Sequence, residues 1–138
     1  MKKKPTFPFW IIFAAFLLVP GVCAADQQVS VKVIGLVQEL KFQVLNQHAF
    51  KANALSLNIL VKKTTTKAQA LHIAKRIRET FPGYLLDVGI FDEKEAFQNR
   101  LNDRYPEEKF FKHYLVQMNV NPHTGFNEIQ WMARGRGK

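Results

Sequence analysis

The sequence predicts an α+β fold: a single small domain with a mixed β-sheet, one main amphipathic helix, a short second helix and a C-terminal β-hairpin. Three stretches carry that expectation. Residues 54–91 read as strand, capped helix, Pro-Gly stop and strand, the order that a parallel crossover unit requires. Residues 113–132 read as two strands around a turn, and an acidic helix start follows Phe91.

From the N-terminus, Lys2 to Lys4 precede an uncharged, mostly apolar run from Phe7 to Ala25, the layout of a secretory signal. Pro20-Gly21 would break a helix just ahead of Val22-Cys23-Ala24-Ala25, where a signal peptidase can cut after Ala24 or Ala25. An uncleaved anchor is the competing reading, since the run is just long enough to span a bilayer. Lipidation at Cys23 ranks third, because the residues before it form a poor lipobox. The predicted organisation is a signal peptide at 1–25, an α+β domain at 26–133 and a basic flexible tail at 134–138.

Charge and cysteine content narrow the chemistry. The full chain has 20 basic and 11 acidic residues, a net charge of +9. Three of the basic residues and none of the acidic ones fall in the signal, which leaves +6. The one cysteine, Cys23, lies at the signal's edge, so the remaining domain has no disulfide, thiol nucleophile or thiolate metal site and must be held by its core.

Val29, Val31 and Val33 alternate with polar residues and suggest a strand, as do Leu40, Phe42 and Val44. Gly35 leaves open one bent strand or a hairpin, and a short helix over Leu36 to Leu40 also fits. Asn46 to Asn53 reads as a loop. In the next strand Leu55, Leu57, Ile59 and Val61 share one face. Thr66 and Gln69 have capping-box spacing, and winding the following residues at about 100° each gathers Ala70, Leu71, Ile73, Ala74, Ile77 and Phe81 on one side. Arg78 falls near that apolar arc and must snorkel. Pro82-Gly83 ends the helix, and a strand follows to Phe91.

Asp92-Glu93-Lys94-Glu95 resembles a metal or catalytic cluster, but carboxylates favour a helix's first turn, so Asp92 is expected to cap and Glu95 to complete a box. The helix would run through Ala96, Phe97 and Leu101, with Asn102 to Glu108 an exposed connection. Strands over His113–Val120 and Phe126–Met132 then flank a turn in which Gly125 takes positive φ. Setting Asn121 opposite Phe126 aligns Met118 with Ile129, Val116 with Trp131, Gln117 with Gln130 and Asn119 with Glu128. A one-residue slip would mix apolar and polar partners.

This register makes one face of the hairpin a ladder of amides and a carboxylate, with His113 on the same side. His113, Gln117, Asn119, Glu128 and Gln130 are therefore the candidate ligand-binding residues, able to give and accept several hydrogen bonds to a sugar or an extended peptide. The competing reading is an ordinary solvated sheet face. Arg134, Arg136 and Lys138 are the candidates for contact with an anionic surface.

His48, His72, His113 and His123 have no zinc-site spacing, and no phosphate loop or nucleophile elbow occurs, so neither cofactor nor metal is expected. The functional expectation is a periplasmic or extracellular, non-catalytic binding or interaction domain that contacts anionic envelope components. Its partner class is a protein or an anionic polymer or lipid, in preference to nucleic acid, and no integral span remains after signal cleavage. The alternative is a small hydrolytic enzyme with a dispersed site of His113, Glu128 and a further residue.

Overall fold

A computed structural model describes residues 24–135. Most of the signal reading, together with Arg136 and Lys138, lies outside these residues. In chain order the elements are α1 (Ala24–Leu40), β1 (Gln43–Ala49), β2 (Ala54–Leu60), α2 (Lys67–Thr80), β3 (Leu85–Phe91), α3 (Lys94–Gln98), α4 (Glu107–His113), β4 (Tyr114–Asn121) and β5 (Phe126–Trp131). The five strands lie in sequence order across one mixed sheet. Only β2 and β3 run parallel, linked by α2, and the other neighbours are antiparallel. This is the predicted α+β architecture with its C-terminal hairpin.

The central unit forms as its residues dictate. Gln69 donates its backbone N–H to Thr66 Oγ1 (3.2 Å) and Gln69 Oε1 accepts from the Thr66 N–H (2.9 Å), so the capping box nucleates α2. Ala70, Ile73, Ala74 and Ile77 are then buried on the sheet, above Leu55, Leu57 and Ile59 of β2, Val88 and Ile90 of β3, and Val116 and Met118 of β4. Each fully enclosed aliphatic side chain contributes on the order of 1.5–3 kcal/mol relative to exposure.

The first element differs from its expectation. Val29 and Val33 belong to helix α1, not to a strand. Val29, Val33 and Leu36 are buried, with Val37 and Leu40 packed beside them, while Val31 points to solvent. The same valines satisfy a period of two and a period near 3.6, and tertiary packing overrides their β propensity. Gly35 sits exposed in mid-helix, at a cost of about 1 kcal/mol relative to alanine. Arg76 fastens α1 to α2 with paired 3.1 Å contacts to Glu39. The following strand, β1, extends through Asn46–Ala49, where a loop was expected, with a register shift between Val44 and Asn46.

Downstream, Asp92 does not cap α3. Glu93 occupies the N-cap position without a side-chain bond, and Leu101 is 87% exposed beyond the helix end. A further helix, α4, occupies part of the expected connection. It has Pro106 at its N-cap, Glu107 and Glu108 in its first turn, and Lys112 and His113 in its last. His113 consequently ends a helix rather than starting the ladder strand. The hairpin pairs as derived, Asn121 opposite Phe126 through Val116 opposite Trp131, and Gly125 has φ 77°.

Helices α1 and α2 cover one face of the sheet. On the other, α3 and α4 cover only one end, where Phe91, Ala96 and Phe97 cluster with Leu45, Phe110 and Tyr114. Phe91 stacks on Tyr114 at 4.7 Å between centroids and meets Phe97 edge-on at 5.5 Å. The rest of that face is open.

Candidate functional site

Strand alternation and the five-strand register together set the chemistry of the open face. One lateral row runs His48, Ser56, Asp87, Asn119, Glu128, each directly paired with the next. The adjacent row runs Asn46, Asn58, Gly89, Gln117, Gln130. The rows are about 6.6–6.8 Å apart, and neighbouring members within a row about 4.8 Å. The amide-and-carboxylate ladder predicted on two strands thus continues across the whole sheet.

Gly89 shapes its floor. A Cβ there would lie 2.5 Å from Asn58 Oδ1, 3.1 Å from a Phe91 ring carbon and 3.4 Å from a Tyr114 ring carbon. Glycine lets the Asn58 amide lie across β3 and brings the Tyr114 edge alongside. Gln130 Nε2 donates to Glu128 Oε1, which orients the outer end of the ladder. At the end away from α3 and α4, Leu85, Asp87, Asn119, Asn121, Thr124 and Phe126 line a shallow depression of about 410 Å³.

Asp87 is exposed by surface area, yet enough protein surrounds its carboxylate for desolvation to raise its pKa. Burial also raises the pKa of Tyr114, and the charge of Asp87 adds to that effect. The two rows contain Asp87 and Glu128 but no lysine or arginine, so the protein's positive charge resides elsewhere.

Of the predicted ligand residues, Gln117, Asn119, Glu128 and Gln130 come together on this face and His113 does not. His113 lies six positions before Asn119, the partner of Glu128, a separation of roughly 20 Å along the strand direction. The anticipated cluster of His113 with Glu128 is therefore not assembled. His113 Nδ1 instead lies 2.8 Å from Asp92 Oδ1, and its Nε2 lies 2.8 Å from Glu93 Oε2. Asp92 is only 4% exposed. This pairing joins the end of α4 to the β3–α3 junction and occupies both imidazole nitrogens. Among the described residues, no group of three histidine, cysteine or acidic side chains is placed to hold a metal ion.

His48, Ser56 and Asp87 have the composition of a nucleophilic triad, but no hydrogen bond joins them, and His48 stacks on Phe50 with centroids 5.6 Å apart. Arg134 is docked rather than loose. Its N–H donates to the Phe111 carbonyl at 3.0 Å, its guanidinium lies 4.5 Å from the Phe111 ring centroid, and Nη1 is 3.4 Å from Glu107 Oε1. A larger hollow of about 640 Å³ opens between the end of α1 and the start of α2. Its polar lining includes Glu39, which pairs with Arg76, Gln69, which belongs to the helix cap, and Lys41, Lys62 and His72.

Sequence reasoning missed Asn46, Asn58, Ser56 and Asp87 as members of the face. The signal of Ser56, Asn58 and Asp87 is the polar phase of their strands, legible one strand at a time, whereas Asn46 falls in a segment that reads as a loop. Placing them in common rows required the strand order and the registers between strands. No described helix is long and apolar enough to cross a membrane. The chain matches no protein-family model, no curated protein sequence and no solved structure.

Proposed function

We propose that the protein is an exported, periplasmic or extracellular, non-catalytic binding domain whose ligand is a polyhydroxylated chain lying across the open sheet face. The supporting observation is the pair of polar rows that cross all five strands on the face without helical cover. Side-chain amides both donate and accept, and carboxylates accept twice, a set that matches hydroxyl groups. The absence of lysine and arginine from the rows favours an uncharged ligand over an anionic one. Contact with anionic envelope components, on this reading, belongs to the basic surfaces elsewhere on the domain.

The hydrolase alternative has less support. The imidazole paired most closely with carboxylates has both nitrogens engaged, which leaves none to take a substrate proton.

The test is retention of the exported protein on immobilised, uncharged envelope polysaccharide. Retention that persists at high salt is expected, because hydrogen bonds are not screened as exposed charges are. The double variant Gln117→Ala/Gln130→Ala should lose that retention with its melting temperature unchanged. Retention that disappears with salt, or that the double variant keeps in full, contradicts the proposal.

A further inference from the structure

We propose that the outer edge of β5 receives an extended acidic polypeptide segment as a sixth strand. The inference does not depend on the open face binding a ligand. It comes from the sheet's edge and the helix flank beside it.

β5 is a terminal strand. Pairing with β4 uses one side of its backbone, and alternate N–H and C=O groups point outward. The strand contains no lysine, arginine or proline, and its register with β4 is unbroken from Phe126 to Trp131. The opposite edge is protected differently, since the register shift between Val44 and Asn46 disrupts β1. At the open end of β5, Phe126 is 50% exposed.

The flank of α2 beside this edge is basic. Lys67 Nζ lies 5.8 Å from the centroid of the Trp131 ring, and Arg78 Nη1 donates to Asn127 Oδ1 at 2.9 Å. Helical winding places the exposed Lys75 on the same shoulder. Among the described residues none of these three cations is in an ion pair, whereas Arg76, on the α1 side, is paired with Glu39 and Glu79. Lys67 and Arg78 are separated by about 16 Å along the helix axis. An added strand carries same-side residues every 6.6–6.8 Å or so, hence acidic side chains at three alternate positions span about 13 Å of that flank.

A second copy of the chain fits poorly. Opposed residues in an antiparallel pair share a face, so self-pairing about Glu128 sets that carboxylate against its own copy. Self-pairing about Ile129 sets Asn127 opposite Trp131 and brings Arg78 of one copy beside Lys67 of the other. An acidic segment meets neither conflict. It would bind by strand addition, with backbone bonds giving affinity and alternate carboxylates selecting the partner.

The experiment uses the full exported protein and fluorescently labelled eight-residue peptides, followed by anisotropy. One alternates Glu and Thr, one has the same composition in two blocks, and two alternating versions carry N-methyl groups on opposite sets of backbone nitrogens. Tighter binding of the alternating peptide than of the block peptide, by about tenfold or more, is expected. Methylation of one set should abolish binding and methylation of the other should leave it, the signature of one-edge pairing. Lys67→Ala/Arg78→Ala should weaken binding by about tenfold without lowering the melting temperature. Equal binding of all four peptides, absence of binding at millimolar peptide, or concentration-dependent dimers of the protein in sedimentation would overturn the proposal.

Discussion

On β2, Leu55, Leu57 and Ile59 are enclosed beneath α1 and α2, whereas Ser56 and Asn58 of the same strand stand on the face that the helices leave open. The contrast repeats on β3, with Val88 and Ile90 inside and Asp87 outside, and on β4, with Val116 and Met118 inside and Gln117 and Asn119 on the other side. Burial of aliphatic surface stabilises the first face, and its residues tolerate little change. The second contributes little apolar burial away from its Phe91 cluster, so its residue types are free to answer to a ligand. One sheet therefore separates the residues that hold the fold from those available for recognition.

The strongest way to break that comparison is Ile77→Asp. Ile77 is fully enclosed on the sheet side of α2, and an unpaired carboxylate there costs several kcal/mol, of the order of a small domain's whole stability. Loss of the cooperative melting transition is expected. Arg76→Ala, one residue away on the solvent side, should shift the midpoint only slightly despite its contacts to Glu39 and Glu79, because the pair is solvent-screened. Similar midpoints for the two variants would mean that the faces of α2 are not divided as described.

A smaller effect of opposite sign is expected on the open face. Desolvation raises the pKa of Asp87 above its ordinary value of 3.8. Between the ordinary and the raised value the folded protein binds more protons than the unfolded chain, so stability falls as pH rises through that window. At neutral pH the ionised group is mildly destabilising. Asp87→Asn should raise the melting temperature slightly at pH 7, with the gain shrinking as pH falls toward 3.8. A lower melting temperature at pH 7, or a gain unchanged by acid, would show that the carboxylate supports the fold instead.

The sequence's legibility followed the same division. α2 was readable from Thr66 to Phe81 because its cap, period and stop agree, and the hairpin register because a slip would mix two chemically distinct sets. α1 is ambiguous in the sequence because Val29 and Val33 fit both strand alternation and the i, i+4 spacing of a helix, and only burial against α2 and the sheet decides between them. α4 was hidden by its brevity, although Pro106, Glu107, Glu108, Lys112 and His113 follow the charge order that a helix dipole favours. Asp92 has the local pattern of a cap, and no local pattern reveals its partner 21 residues away. For the candidate site, the hairpin half was legible within one hairpin, and the remaining half required the order of all five strands.

The most direct test of the central claim, that recognition of the uncharged polysaccharide is confined to the face without helical cover, is amide chemical-shift mapping. The isotopically labelled exported protein is titrated with oligosaccharides from partially hydrolysed, uncharged envelope polysaccharide. The account predicts shifts clustered at Asn58, Asp87, Gly89, Gln117, Asn119 and Gln130, with the amides of Val29 to Leu40 unmoved. Shifts centred on α1 and α2, or no cluster on the open face, would contradict it.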